Sequence, residues 1–268
     1  YQFEAVKDIL DKKKILLADD MGLGKCAESI MAMNLIEKRQ GYDGKTLIVC
    51  PNSVRQHWEE EIKKWYRKGE QTNISHIETS SYEGDIKKAE DSDFSIIGYS
   101  TLSNFGGNTS KISSLQNLGF QYGIVDEAHN AKNPDSIRSL AAKKLFDSMN
   151  YLAILSGTPI PNTVSDIYML LSLLDKEHFP LVTENPKAVL TNFYNLFKQD
   201  PEFVRRVLNE RMLRRTVEDY LGASVPKAKV HNLEIKLDGE HRETYLQVYE
   251  NYNIHPGAKL IQLRKAAL

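Results

Sequence analysis

Three short stretches of the chain carry residues whose types and spacing can handle a polyphosphate. The first, Leu16-Leu17-Ala18-Asp19-Asp20-Met21-Gly22-Leu23-Gly24-Lys25-Cys26, reads as a strand, a glycine-bearing loop and a helix start. Glycines let such a loop curl until successive backbone N–H groups converge on an anion. A helix starting near Gly24 adds its positive end, and Lys25 offers an ammonium to the β- and γ-phosphates. Alone the stretch is weak. The pattern G-x-x-x-x-G-K-[ST] fails at its first position, Asp19, and at its last, Cys26. A plain strand-to-helix turn with an exposed lysine would read the same way.

The second stretch, Gly123-Ile124-Val125-Asp126-Glu127-Ala128-His129, is an apolar strand ending in two adjacent carboxylates. In doubly wound sheets ligands sit at the carboxyl ends of the strands. There Asp126 can hold magnesium, directly or through water, and Glu127 can accept a proton from an attacking water. A lone Asp-Glu pair is commonly a helix cap. Downstream of a phosphate loop that reading would need two motifs to coincide by chance. The third stretch, Ala153-Ile154-Leu155-Ser156-Gly157-Thr158-Pro159, again runs from a strand into a turn. Its hydroxyls can join the carboxylates to a nucleic-acid path, whereas Gly157 and Pro159 alone would be only a turn.

The elements that must position these residues follow from periodicity. Short apolar runs at 15–18, 46–50, 94–99, 122–126 and 151–156 predict strands, and helical patterns at 25–39, 54–66 and 136–146 fall between several of them. Strands buried on both faces with helical crossovers predict an α/β, doubly wound, mostly parallel sheet. After Pro161 the segments 167–174, 187–197 and 201–213 look helical, which predicts a helical insertion. Alternation of Val230, Leu233, Ile235 and Leu237 predicts a strand over 229–237. A charged helix over 240–253 and the start of another at 260–268 follow.

Composition sets the limits. The 268 residues are 41% hydrophobic and 26% charged, enough for one large domain with an insertion. A net charge of -1 excludes nucleic-acid binding through bulk charge, so any such site is a local patch. Two cysteines and seven histidines make neither a disulfide framework nor a zinc tetrad, which points to a reducing, intracellular compartment. No apolar run has the length of a membrane span, and the start lacks a signal-peptide layout. The opening Tyr1-Gln2-Phe3, without an initiator methionine, points to a piece of a longer chain.

Taken in order, the three stretches resemble the superfamily-two helicase-like ATPases, and more narrowly the Swi/Snf-type DNA translocases. The narrower likeness rests on Asp19 to Lys25, on Leu47-Ile48-Val49-Cys50-Pro51-Asn52-Ser53 with Trp58 and Glu61-Ile62-Lys63-Lys64-Trp65, and on His129 with Lys132-Asn133. Leu155 to Asn162, Leu213-Arg214-Arg215-Thr216 and Val225-Pro226-Lys227 complete it. The resemblance implies a RecA-like ATP-binding lobe over 1–165, a helical protrusion over 166–215, and a linker with the truncated start of a second lobe over 216–268. It implies ATP and magnesium as cofactors, and double-stranded DNA and the second RecA-like lobe as partners. The place of work would be the nucleus of a eukaryote or the cytoplasm and nucleoid of a prokaryote.

The resemblance also implies roles by position. Lys25, Asp126 and Glu127 are the catalytic set, with Asp126 the magnesium residue. Gln2, Met21, Gly22, Leu23, Gly24, Lys25 and Cys26 hold the nucleotide. His129, Ser156 and Thr158 couple nucleotide to DNA. Pro51, Asn52, Ser53, Tyr99, Ser100 and Thr101 grip the DNA backbone without reading sequence. Two departures stand out. Cys26 replaces a hydroxyl that ligates magnesium, and a thiol is a poor partner for a hard cation. This predicts either weakened magnesium-ATP affinity or a tolerated small residue, and the helix start predicts a nucleophilic thiol. The second lobe, source of arginines that stabilise the transferring phosphate, is absent, so the isolated chain is expected to be nearly inactive. Arg214-Arg215 read as a solvated or lobe-packing pair rather than substitutes. Two alternatives stay open: a strand-separating DNA or RNA helicase, and a degenerate lobe acting as a scaffold.

Overall fold

The computed structural model describes residues 1–40, 44–106, 108–131, 136–157, 164–180, 186–222, 239–251 and 262–263. By its contacts the chain divides into two units, Tyr1–Val225 and Pro226–Leu268. The predicted strand at 229–237, Lys132-Asn133, Thr158, Ile160 to Asn162, Val225 to Lys227 and most of 260–268 lie outside the described residues.

The first unit is built on a seven-stranded sheet whose strand pairs are all parallel, an α/β RecA-like arrangement as expected. In chain order the strands are β1 (Lys14–Leu17), β2 (Thr46–Cys50), β3 (Ile74–Ile77), β4 (Phe94–Gly98), β5 (Tyr122–Val125), β6 (Tyr151–Leu155) and β7 (Met212–Leu213). In space they run β3-β4-β2-β5-β6-β1-β7. Two of them escaped the sequence. β3 is a four-residue edge strand with only alternate residues buried, too short and polar to stand out. β7 was expected as the end of a helix. That helix stops at Arg211, and Met212 and Leu213 instead pair with Leu16 and Leu17 of β1.

Alternation along the strands splits the core into two layers. Ile15, Leu17, Ile48, Ile124, Ala153 and Leu155 face α1 (Gln2–Lys12), α2 (Lys25–Gln40) and α3 (Arg55–Trp65). Leu16, Leu47, Val49, Val125, Leu152 and Ile154 face the other way. There they meet α4 (Tyr82–Glu90), α5 (Tyr99–Gly106), α6 (Thr109–Asn117), α7 (Ile137–Phe146) and α8 (Val164–Leu174). Each layer is continuous, so a one-residue slip of any strand would exchange its two faces.

The helical insertion has its own core. Ile167, Tyr168 and Leu171 of α8 pack with Phe179, with Phe193 of α9 (Pro186–Gln199), and with Val204, Val207 and Leu208 of α10 (Pro201–Arg211). Met169, Leu170, Leu173 and Leu174 of the same α8 belong to the sheet layer. A helix apolar on both sides thus joins insertion to sheet. Asp200 caps α10 by accepting from Phe203 N at 2.9 Å, with Pro201 at the first helical position. The short α11 (Val217–Leu221) follows β7 with a Thr216–Asp219 capping box. In the second unit α12 spans Gly239–Glu250. No described helix is long and apolar enough to cross a membrane.

Candidate functional site

Parallel pairing brings the carboxyl ends of the strands to one edge of the sheet. Leu17 is in register with Leu155, and Ile154 with Val125, so the residues that follow them emerge side by side. One more ladder bond extends each end: Asp126 N donates to Val49 O at 2.8 Å, Ser156 N to Leu17 O at 3.1 Å, and Ala18 N to Leu213 O at 2.7 Å. The three chemistry-bearing stretches therefore meet on one rim, with β6 alone between β1 and β5.

The loop after β1 has the backbone that its glycines allow. Gly22 and Gly24 take φ of 85° and 93°, values that side chains rarely adopt. Leu23 between them is buried and pins the loop, while Met21 stands 72% exposed beside Gly157. Lys25 opens the 16-residue α2, and its Nζ donates to the carbonyls of Asp19 at 2.6 Å and Asp20 at 3.1 Å. Gln2, at the start of α1, lies against this loop: a Cβ on Gly24 would come within 2.5 Å of Gln2 Nε2. A curled loop, a long helix start and a lysine on one rim fit a polyphosphate.

Asp126 and Glu127 sit where the second stretch places them. Asp126 Oδ1 accepts Glu127 N at 2.9 Å and Oδ2 accepts the indole N–H of Trp58 at 2.9 Å. Burial pushes the Asp126 carboxyl above its ordinary value; the Trp58 bond opposes this, Glu127 adds to it, and Lys25 opposes it. Glu127 takes a positive φ of 48°. Its Oε2 lies 3.1 Å from His129 Nδ1, close enough for an ion pair with a protonated ring but not aligned as a hydrogen bond. A carboxylate near Lys25 with a free lone pair on each oxygen fits a divalent cation. The Cys26 thiol does not improve that fit.

Burial bears on three expectations. Tyr99 was expected at the DNA backbone, but its side chain is buried and its hydroxyl donates to Asp126 O at 2.8 Å. Thr101 is buried as well, so of that trio only Ser100 is exposed. Cys26 was expected to be an activated thiol. Burial instead pushes it up to about 12, reinforced by Asp126 and Glu61 against the smaller pull of Lys25. Of the solvated and lobe-packing readings of Arg214-Arg215, packing is what Arg215 does: it is buried beside the glycine loop. Its guanidinium pairs with Asp19 and with Glu28, the latter at 2.9 and 3.1 Å, and reaches Tyr1 O at 2.6 Å. Arg214 donates to Ala18 O at 2.5 Å and meets Asp20 at 3.3 Å.

The exposed Asn52 and Ser53 lie on the turn after β2, and Asn52 Nδ2 donates to Ser100 Oγ at 2.7 Å, joining two of the expected backbone-gripping loops. Gly98 makes this approach possible, because a Cβ there would collide with the Asn52 amide. Pro51 is half-buried at the turn's start, and Ser156 is buried at the end of β6.

Against known proteins, a family described as "SNF2-related domain" matches residues 1–266. Chromodomain-helicase-DNA-binding protein 6 of Homo sapiens is 28% identical over 93% of this chain and 9% of its own length. Protein CHROMATIN REMODELING 19 of Arabidopsis thaliana is 25% identical over 97% of this chain and 35% of its own. The chain thus spans a minor part of these relatives. Among solved structures, the Sulfolobus solfataricus SWI2/SNF2 ATPase core in complex with dsDNA shares the fold. Its TM-score is 0.65, with 23% identity, over 99% of this chain and 57% of that one.

Proposed function

The chain belongs to the SNF2-related domain family, and from that premise we propose that it is the nucleotide-binding lobe of an ATP-dependent double-stranded DNA translocase. What most supports this reading is the meeting of Lys25 with Asp126 and Glu127 on one rim, delivered by β1 and β5 across a single intervening strand. Residues 1–165 would form the lobe, 166–215 the protrusion, and 216–268 the passage to a second lobe.

Magnesium-ATP, when bound, supplies the bond whose cleavage drives movement. Lys25 would exchange its two loop carbonyls for phosphate oxygens, and Asp126 would hold the metal. Glu127 would take the proton of the attacking water. His129, Ser156 and Thr158 would relate that chemistry to DNA lying on Pro51 to Ser53 and Ser100. Contacts of that neutral kind reconcile a net charge of -1 with a DNA partner, whose setting would be nucleus or nucleoid. Arginines from the second lobe would complete the charge stabilisation, so the chain alone would bind nucleotide weakly and turn it over very slowly.

The test is ATP hydrolysis by the full-length protein with and without linear duplex DNA. Stimulation that Lys25→Ala or Glu127→Gln abolishes is expected, without unwinding of a forked duplex. Turnover indifferent to DNA, or efficient strand separation, would sink the translocase reading.

A further inference from the structure

Trp58 has a relationship to the rim that its sequence position does not announce. It is fully buried on α3, the helix that directly follows the turn Asn52–Val54, and its Nε1 donates to Asp126 Oδ2 at 2.9 Å. An indole N–H is a donor only, and an anionic acceptor makes this bond charge-assisted. Asp126 is held at three further points: its N by Val49 O, its carbonyl by the Tyr99 hydroxyl, and Oδ1 by Glu127 N. The backbone bonds fix where the residue is. Among the described residues, only the donors on Oδ1 and Oδ2 fix the plane of its carboxylate, and the Glu127 donor comes from the adjacent residue. Trp58 is thus, among the described residues, the long-range restraint on the direction in which Asp126 presents its remaining lone pairs.

We propose that Trp58 is a positioning residue for the divalent-cation site, preorganising the Asp126 carboxylate for the metal that accompanies the nucleotide. This rests on the nucleotide-binding reading above. A carboxylate freed of the indole turns more readily about its terminal torsion, which is broad and two-fold. Outer-shell partners of metal ligands are worth roughly 10- to 100-fold in metal affinity. The loss would fall on magnesium-dependent binding and leave the contacts of the phosphate loop untouched.

The experiment is titration of the full-length protein with a fluorescent ATP analogue, in magnesium and again in EDTA. Trp58→Phe removes the donor and part of the ring. Site-specific replacement of Trp58 by benzothienylalanine keeps the bicyclic shape and exchanges only N–H for sulfur, which answers the case where Trp58→Phe fails to fold. Expected is a rise of about tenfold or more in the Kd measured with magnesium, and a change within about twofold in EDTA. The proposal is overturned if the benzothienyl protein keeps the wild-type gain from magnesium, or if both affinities fall together as a loosened core would make them. A wild-type protein that binds no nucleotide in either buffer would instead refute the nucleotide-binding reading, and this inference with it.

Discussion

Arg215 Nε donates to Asp19 Oδ2 at 3.0 Å, joining the exit of the helical insertion to the strand end that launches the glycine loop, 196 residues earlier. The same guanidinium reaches Glu28 on α2 and the carbonyl of Tyr1 beside Gln2. One buried cation therefore ties together the loop's entry, its following helix and the start of α1. The short parallel pairing of β7 with β1 sets that geometry by carrying Arg215 to Asp19.

Removing Arg215 leaves two carboxylates buried without their cation. Arg215→Ala is expected to destabilise the fold by about 3–5 kcal/mol, the range for breaking a buried pair from one side. Urea denaturation of variant and wild type measures it. A difference under about 1 kcal/mol would mean that water reaches the site and screens it.

Glu28 gives the same cluster a pH dependence. Burial, opposed by Arg215 and aided by Asp19, pushes its carboxyl from an ordinary 4.5 up to about 7. Between those values the folded chain holds a proton that the unfolded chain has released. Stability from this group is therefore greatest at low pH, falls as pH rises from about 4.5 to about 7, and is level above. Glu28→Gln cannot titrate, so its Tm minus that of wild type should widen as pH goes from 5 to 8. A constant difference across that range would place the Glu28 proton elsewhere.

The sheet was legible because five of its strands are apolar runs bounded by turn signals, and the rim was legible because Lys25 and Asp126-Glu127 follow such runs. What escaped was long-range. Nothing local in Met212-Leu213 says that two residues after a helix will pair with β1, and nothing near Arg215 names Asp19 as its partner. The burial of Tyr99 and Thr101 was not legible, because a hydroxyl after a strand looks the same whether it faces solvent or, as in Tyr99, turns back to Asp126. Cys26 was misjudged because a helix start was weighed without the burial that outweighs it.

Desolvation is expected to leave both thiols poorly reactive, Cys50 buried and Cys26 half-buried. Cys26 and Cys50 are both pushed up to about 12, chiefly by desolvation. At pH 8 the thiolate population is then lower than that of an unfolded cysteine by roughly three orders of magnitude. Labelling of Cys26 and Cys50 with a thiol reagent, followed by peptide mapping, should be negligible in the native protein and complete in guanidinium. Fast native labelling of either would contradict the burial-driven shift.

Under the proposed function Cys26 also bears on magnesium binding. A threonine there would add a hard oxygen donor at the start of α2, on the rim shared with Asp126. Cys26→Thr is expected to tighten magnesium-nucleotide binding severalfold with no gain in EDTA. Equal affinities in the two proteins would show that Asp126, phosphate and water already suffice.

Asn52 and Ser100 should act as one unit toward DNA. Their 2.7 Å hydrogen bond joins the turn after β2 to the start of α5, and both residues are exposed at the carboxyl rim. If they grip backbone phosphates together, Asn52→Ala and Ser100→Ala will each weaken duplex binding by the full-length protein about five- to tenfold, the scale of one net hydrogen bond. The double variant will lose less than the product of the two, because each single change already releases the other partner. Both singles should weaken random-sequence and defined duplexes alike, since phosphate contacts carry no sequence information. Losses that multiply in the double variant would show two independent contacts, and unchanged affinity in all three would remove this pair from the DNA path.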